Sequence, residues 1–252
     1  MAGDEPGRRA SVLILGGTAE ALELAVACAA RAGFAVISSL AGRTRAPALP
    51  PGDVRIGGFG GVEGLSRFLV ERRIDRVIDA THPFAAQMSA HAEQACREAG
   101  VLRLRLLRPP WVAVPGDRWI EVADLAEAAQ RLPSLGRRAF LTIGRQELEA
   151  FAPLDLWCLV RTIEAPGVLS LRQGHWLAGR GPFAVEDEIA LLRTHAIEAL
   201  VTKASGGGAT YAKLVAARQL GLPVLMIRRP PPAPGPVVGS VAAALAWLGG
   251  SL

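Results

Sequence analysis

The sequence predicts an α/β protein of doubly wound parallel sheets, and three observations carry that prediction. Short runs of Val, Leu, Ile and Ala alternate with longer stretches of helical spacing along most of the chain. Many of the short runs end in a glycine-containing turn that opens the next helical stretch. Aromatics make up only 5% of the 252 residues, so the core has to be aliphatic, which suits sheets covered by helices. Strands separated by helices pair in parallel through right-handed crossovers.

Taken in order, Ser11 to Leu15 is the first strand, Gly16-Gly17-Thr18 a tight turn, and Ala19 to Ala32 a helix stopped by Gly33. Phe34 to Leu40 and Val54 to Ile56 are the next strands, each with glycine close behind. Val62 to Arg73 is a helix and Arg76 to Ala80 a buried strand. Phe84 to Ala99 is helical because Phe84, Met88, Ala92, Ala95 and Ala99 recur on one face. Leu102 to Leu107 is another strand. The pattern then breaks at Arg108-Pro109-Pro110, since consecutive prolines neither continue a helix nor sit in a central strand. The domain boundary is placed there, giving residues 1–107 and 108–252.

Beyond it the alternation resumes. Strands are expected at Trp119 to Val122, Ala139 to Ile143, Leu156 to Arg161, Ala199 to Thr202 and Val224 to Arg228. Helices are expected from Asp124 to Leu132, briefly after Arg145, from Val185 to His195 and from Ala209 to Leu220. Arg229-Pro230-Pro231-Pro232 favours an extended, exposed connection, followed by a last helix from about Ser240 to Leu248.

Composition narrows the function classes. There are 28 basic and 23 acidic side chains, a formal charge of +5 with no long basic run, which fits a small anionic ligand better than nucleic acid. Cys28, Cys96 and Cys158 lie far apart, so neither a zinc site nor a disulfide framework is indicated and a reducing cytoplasm is the simplest setting. A polar start and broken apolar stretches argue against a signal peptide or a membrane span. His82, His91, His175 and His195 are dispersed, so no metal cluster and no Ser-His-Asp set is indicated. Chemistry carried by a bound cofactor is favoured instead.

Gly16-Gly17-Thr18-Ala19-Glu20 stands where a nucleotide-binding fold places its phosphate loop: glycines admit a diphosphate, and free N–H groups of the first helical turn favour an anion. It lacks the third glycine of GxGxxG, and an ordinary strand-to-helix turn is the competing reading. Ala41-Gly42-Arg43-Thr44 follows the second strand, where Arg43 suits a 2′-phosphate and so points to NADPH; a solvated loop arginine is the alternative. Gly57-Gly58-Phe59-Gly60-Gly61 is dense enough in glycine to suggest a ligand close to the backbone, with Phe59 either beside it or plugging the core. Asp79-Ala80-Thr81-His82-Pro83-Phe84 leaves the fourth strand, which puts Thr81 and His82 at the carboxyl edge of the sheet, as ligand contacts or as cap and structural histidine. In the second half, Lys203, Ser205, Gly206, Gly207 and Gly208 make an anion-binding nest between strand and helix, to which Lys213 adds a charge. Gly144-Arg145-Gln146 and Arg180-Gly181-Pro182-Phe183 are weaker signals, Arg145 being a candidate for a carboxylate.

These stretches, together with Ala212-Lys213, Ala216-Ala217-Arg218 and Leu220-Gly221-Leu222-Pro223-Val224, occur from about residue 11 to 230 in an order that resembles the precorrin-6A reductase family. The resemblance implies two Rossmann-like doubly wound parallel-sheet domains with a cleft between them. It further implies NADPH as cofactor, a tetrapyrrole as substrate, and hydride and proton delivery to the C18–C19 bond in cobalamin biosynthesis. By the same resemblance the cofactor contacts would be Gly16, Gly17, Thr18, Ala19, Glu20, Gly42, Arg43, Thr44, Gly57, Gly58, Phe59, Gly60, Thr81 and His82. Arg145, Lys203, Ser205, Gly206, Gly207, Gly208 and Lys213 would face the substrate. The proton donor is left open: His82 and Lys203 are the candidates, with water or a substrate carboxyl group as the alternative; the expected partners are the small molecule itself and neighbouring pathway enzymes, not nucleic acid or membrane. Two other readings stay open: a cobalt-precorrin-6A reductase using NADH, and a regulator that binds NADPH without reducing anything.

Overall fold

A computed structural model describes residues 8–42, 49–165 and 171–250. Along the chain the elements are β1 (Ala10–Leu15), α1 (Ala19–Ala29), β2 (Phe34–Leu40), β3 (Asp53–Ile56), α2 (Gly61–Glu71), β4 (Arg76–Asp79), α3 (Ala86–Ala99) and β5 (Leu102–Leu106). Then come β6 (Arg118–Val122), α4 (Leu125–Arg131), β7 (Arg138–Thr142), a 3-10 turn at Arg145–Phe151, β8 (Trp157–Thr162), β9 (Gln173–Ala178) and α5 (Val185–Thr194). The chain closes with β10 (Ala199–Lys203), α6 (Ala212–Gln219), β11 (Pro223–Ile227), β12 (Val237–Val238) and α7 (Val241–Gly249). No helix among the described residues is long and apolar enough to cross a membrane.

Two compact units result, one formed by Pro110–Arg229 and the other by the chain on either side of it. The flanking unit carries a six-stranded sheet in the order β3-β2-β1-β4-β5-β12, every pair parallel. Alternation along β1 decides its two faces. Val12 and Ile14 pack with Leu24, Ala25, Val241 and Leu248 under α1 and α7, while Leu13 and Leu15 pack with Leu65, Leu69, Ala92 and Cys96 under α2 and α3. Both faces are therefore covered, as a parallel sheet requires.

The second unit repeats the plan in the order β9-β8-β7-β10-β11-β6, again all parallel. Phe140, Leu200 and Val224 face α5 and α6 with Leu192, Leu214 and Ala217. Leu141, Val201 and Leu225 are buried on the other face, where α4 lies against β6 and β11.

Three expectations are corrected. Residues 108–252 do not all belong to the second unit, because the chain returns after Arg229 and its last segment completes the first sheet. There β12 pairs with the β5 edge, and Arg76 donates to the carbonyls of Trp247 (2.9 Å) and Leu248 (3.0 Å) at the end of α7. Covering an open strand edge and neutralising a helix carboxyl end both favour that return. Two strands were not anticipated, β9 and β12: Gln173 to Ala178 is an edge strand with little buried surface, so it lacks apolar alternation, and β12 is a two-residue pairing in a Pro-rich stretch. Helix boundaries also move, since α1 ends at Ala29 rather than Ala32 and α6 begins at Ala212 rather than Ala209. Cys28, Cys96 and Cys158 are buried and unpaired, with burial pushing their thiols up to about 11, 12 and 11, so they act as apolar packing groups.

Candidate active site

In the first sheet the connections diverge between β1 and β4, because β1 leads by α1 to β2 while β4 leads by α3 to β5 on the other side. A crevice opens at the carboxyl ends of such a pair. Thr18 joins its two lips: its hydroxyl donates to the Ala80 carbonyl (2.9 Å) and accepts from the N–H of Ala21 (3.1 Å), so one side chain both caps α1 and ties the β1 loop to the β4 loop. Gly16 and Gly17 precede it, and Ala19 and Glu20 open the helix. Thr18, Glu20, Thr81 and Arg108 share one narrow recess, across which Arg108 pairs with Glu20 at 2.8 Å.

Thr81 is buried and faces partly inward. Its hydroxyl donates to Asp79 Oδ1 (2.7 Å) and its N–H to the same oxygen (3.2 Å), which leaves only acceptor capacity on the threonine oxygen. Asp79 is fully buried, and its Oδ2 lies 3.6 Å from both Arg103 Nη1 and Arg105 Nη1, themselves buried on β5. Oδ2 of Asp79 makes no hydrogen bond among the described residues, so proximity of the two cations has to offset the cost of burying this carboxylate. His82 is half-buried; its Nδ1 accepts from the N–H of Phe84 (3.3 Å) and its ring lies 5.8 Å from that of Phe84.

The glycine loop after β3 is organised by a residue that was not singled out from sequence. Arg55 donates to the carbonyls of Gly57 and Gly58, both at 2.6 Å, and lies 3.8 Å over the Phe59 ring. Phe59 meets Phe68 edge-on at 5.2 Å and is partly buried against the core cluster under α2. Gly60 starts α2 in a left-handed conformation. Gly42 closes the turn after β2, whereas Arg43 and Thr44 lie outside the described residues.

In the second sheet the divergence falls between β7 and β10. Lys203, at the end of β10, forms an ion pair with Glu147 across it, and the other oxygen of Glu147 accepts from Gly144 N–H (2.8 Å). Glu147 was missed from sequence because its partner is 56 positions away. Arg145 is exposed at the start of the 3-10 turn. Ser205 and Gly206 to Gly208 form the loop after Lys203, beside an open groove of about 470 Å³ bordered by Trp111, Val185, Tyr211 and Val215. Lys213 departs from expectation: it does not add a charge at an exposed mouth but is 4% exposed, with its amine 5.4 Å from the centre of the Trp111 ring. Burial lowers its ammonium to about 7, with nearby Arg161 acting in the same direction and Glu188 opposing.

Comparison with known proteins adds the family. Residues 11–249 match the family described as Precorrin-6x reductase CbiJ/CobK. The chain belongs to that family. It is therefore an oxidoreductase, as the ordered motifs had implied. A precorrin-6A reductase of Rhodococcus erythropolis is 55% identical over 240 residues, covering 94% of this chain and 97% of that one. A solved structure titled CobK precorrin-6A reductase superposes with a TM-score of 0.91 at 45% identity, covering 95% and 96% of the two chains. More distant is a cobalt-precorrin-6A reductase of Priestia megaterium, 31% identical over 232 residues, 87% of this chain and 90% of that one.

Proposed function

We propose that the chain reduces precorrin-6A to precorrin-6B in cobalamin biosynthesis, with NADPH as hydride source and the C18–C19 double bond of the macrocycle as the bond reduced. Full-length similarity to proteins named for this reduction carries the reading. It favours the metal-free substrate over the cobalt form, since the relative named for the latter is 31% identical against 55%.

The first unit suits a dinucleotide on its own geometry. A glycine turn with Gly17 at φ +113° leads into the capped start of α1, directly at the divergence of the sheet. Gly16, Gly17 and the first turn of α1 would take the diphosphate, and the glycine loop at 57–60 would let the nucleotide pass close to backbone. Thr81, its proton committed to Asp79, would offer an acceptor to an N–H or O–H of the bound cofactor. NADPH, when bound, supplies the hydride. The proton would come from His82 or Lys203, which stand near the two divergence points, or from water or a substrate carboxyl group. Lys203, Ser205 and the N–H groups of Gly206 to Gly208 would hold carboxylates of the substrate. We place the reaction in the cytoplasm, in keeping with three unpaired cysteines.

The test is NADPH oxidation by the purified protein with authentic precorrin-6A. Turnover that requires this macrocycle supports the proposal, and none at all overturns it. Parallel assays with the cobalt macrocycle and with NADH separate the sibling activity. Preference for NADPH rests on Arg43: Arg43→Ala should raise KM for NADPH roughly tenfold or more while leaving KM for NADH nearly unchanged, the loss expected for one charged hydrogen bond.

A further inference from the structure

We propose that Arg229 and Trp111 are positioning residues for substrate binding, holding the 204–209 loop so that the N–H groups of Gly206, Gly207 and Gly208 stay available to a carboxylate of the macrocycle. The proposal rests on the substrate reading given above. It adds which residues shape the loop.

Carbonyl oxygens and N–H groups in this loop are segregated. Arg229 donates from Nε to Ala204 O (2.6 Å) and from Nη2 to Ser205 O (2.9 Å). Trp111 donates from its indole Nε1 to Gly207 O (2.7 Å), and Gly208 O accepts from Tyr211 N–H (3.1 Å). Ala209 O packs so closely against Gly181 that a Cβ there would lie 2.3 Å from it, which gives the Arg180-Gly181-Pro182-Phe183 stretch a reason to carry glycine. Four carbonyls thus meet donors and a fifth is pressed against another segment.

The N–H side is different. Ala204 donates to Ile227 O (2.9 Å) and Ser205 to Lys203 O (2.7 Å), but the N–H groups of Gly206, Gly207 and Gly208 have no backbone acceptor among the described residues. Gly206 and Gly207 both take left-handed conformations, at φ +67° and +76°, which side chains disfavour. Consecutive amides without competing carbonyls attract an anion. Beside them runs the groove walled by Trp111, Val112, Val185, Tyr211 and Val215, which is apolar enough to accept the hydrocarbon part of a ring whose carboxylate meets the amides. A guanidinium suits the positioning role because its planar fork reaches the carbonyls of two successive residues, which a single ammonium does not do with the same geometry.

Arg229→Met and Trp111→Phe in the full-length enzyme test this. The second keeps an aromatic ring in the groove wall, smaller than the indole, and removes the N–H that holds Gly207. Each should raise KM for precorrin-6A about tenfold, as for loss of one well-formed hydrogen bond, with KM for NADPH within about twofold of wild type. Arg229→Lys should recover part of the loss. Amide-resolved NMR of the isotope-labelled protein with sodium acetate as probe should show saturable shifts at Gly206 to Gly208 in wild type and weaker ones in both variants. If Arg229→Met does not fold, Trp111→Phe decides. Equal rises in both KM values, or unchanged acetate shifts in a folded variant, overturn the inference. Acetate shifts lost in the variants, in a wild type that does not turn over precorrin-6A, would keep the positioning role and defeat the assigned substrate.

Discussion

At the first divergence, between β1 and β4, the lips are joined by a contact from Thr18 to the Ala80 carbonyl beside the Glu20–Arg108 ion pair, and further charge lies inside the sheet in Asp79, Arg103 and Arg105. At the second, between β7 and β10, the ion pair of Lys203 and Glu147 stands at the mouth and the central strands below it are apolar at Leu141 and Val201, with the buried Arg161–Glu188 pair one strand away, its arginine on β8. One topology is therefore finished in two ways. Buried charge orients a loop without offering net charge to a ligand, whereas charge at the mouth can meet an ionised one.

The largest expected effect tests the buried set. Asp79→Ala should cost about 3–5 kcal/mol in chemical denaturation, since it strands two buried cations. A loss below 1 kcal/mol would mean that the arginines find other partners.

Next is the charged mouth, where Lys203→Met should lower kcat/KM for the macrocycle by roughly 1.5–3 kcal/mol, with little change in KM for NADPH. If nucleotide binding fell equally, the division of labour between the units would be wrong. Glu147→Gln should act in the same direction and more weakly, because it loosens Lys203 without removing it.

Lys213 sharpens the boundary between mouth and core. Its folded pKa lies below that of the unfolded chain, so between about 7 and the ordinary lysine range the unfolded state holds a proton that the folded state has released, and stability rises with pH across that window. Lys213→Met should remove that slope, at most about 1.4 kcal/mol per pH unit, and should raise stability near neutral pH. Denaturation at several pH values reads it. A tenfold rise in substrate KM with unchanged stability would instead return Lys213 to the mouth. The smallest effect is expected at Thr18, where Thr18→Val removes a cap and a loop tie worth about 1 kcal/mol and Thr18→Ser restores both.

Several features were legible along the chain because their causes are local. The apolar run before Gly16-Gly17-Thr18 and the helical spacing after it mark a strand-to-helix turn, and Thr18 caps the helix that follows. The Lys203-to-Gly208 loop was marked in the same way. Leu102-Arg103-Leu104-Arg105-Leu106 was read correctly as a strand, but alternation suggests that its arginines face solvent, and both are buried against Asp79. Arg55, Glu147 and Arg229 left no signal of their own, since an isolated charged residue looks the same in sequence whether it is solvated or organises a loop.

By itself the sequence determined the α/β class, the all-parallel habit of strands joined by helices, the positions of the glycine turns and, through their order, the family. These follow from periodicity and backbone sterics, which act over a few residues. Tertiary structure decided that the tail completes the first sheet, that Lys213 is buried, that Lys203 is paired with Glu147, and that Arg229 and Trp111 shape the glycine loop. Each depends on which distant group fills a partner's hydrogen-bonding or apolar surface, and the folded arrangement alone supplies that partner.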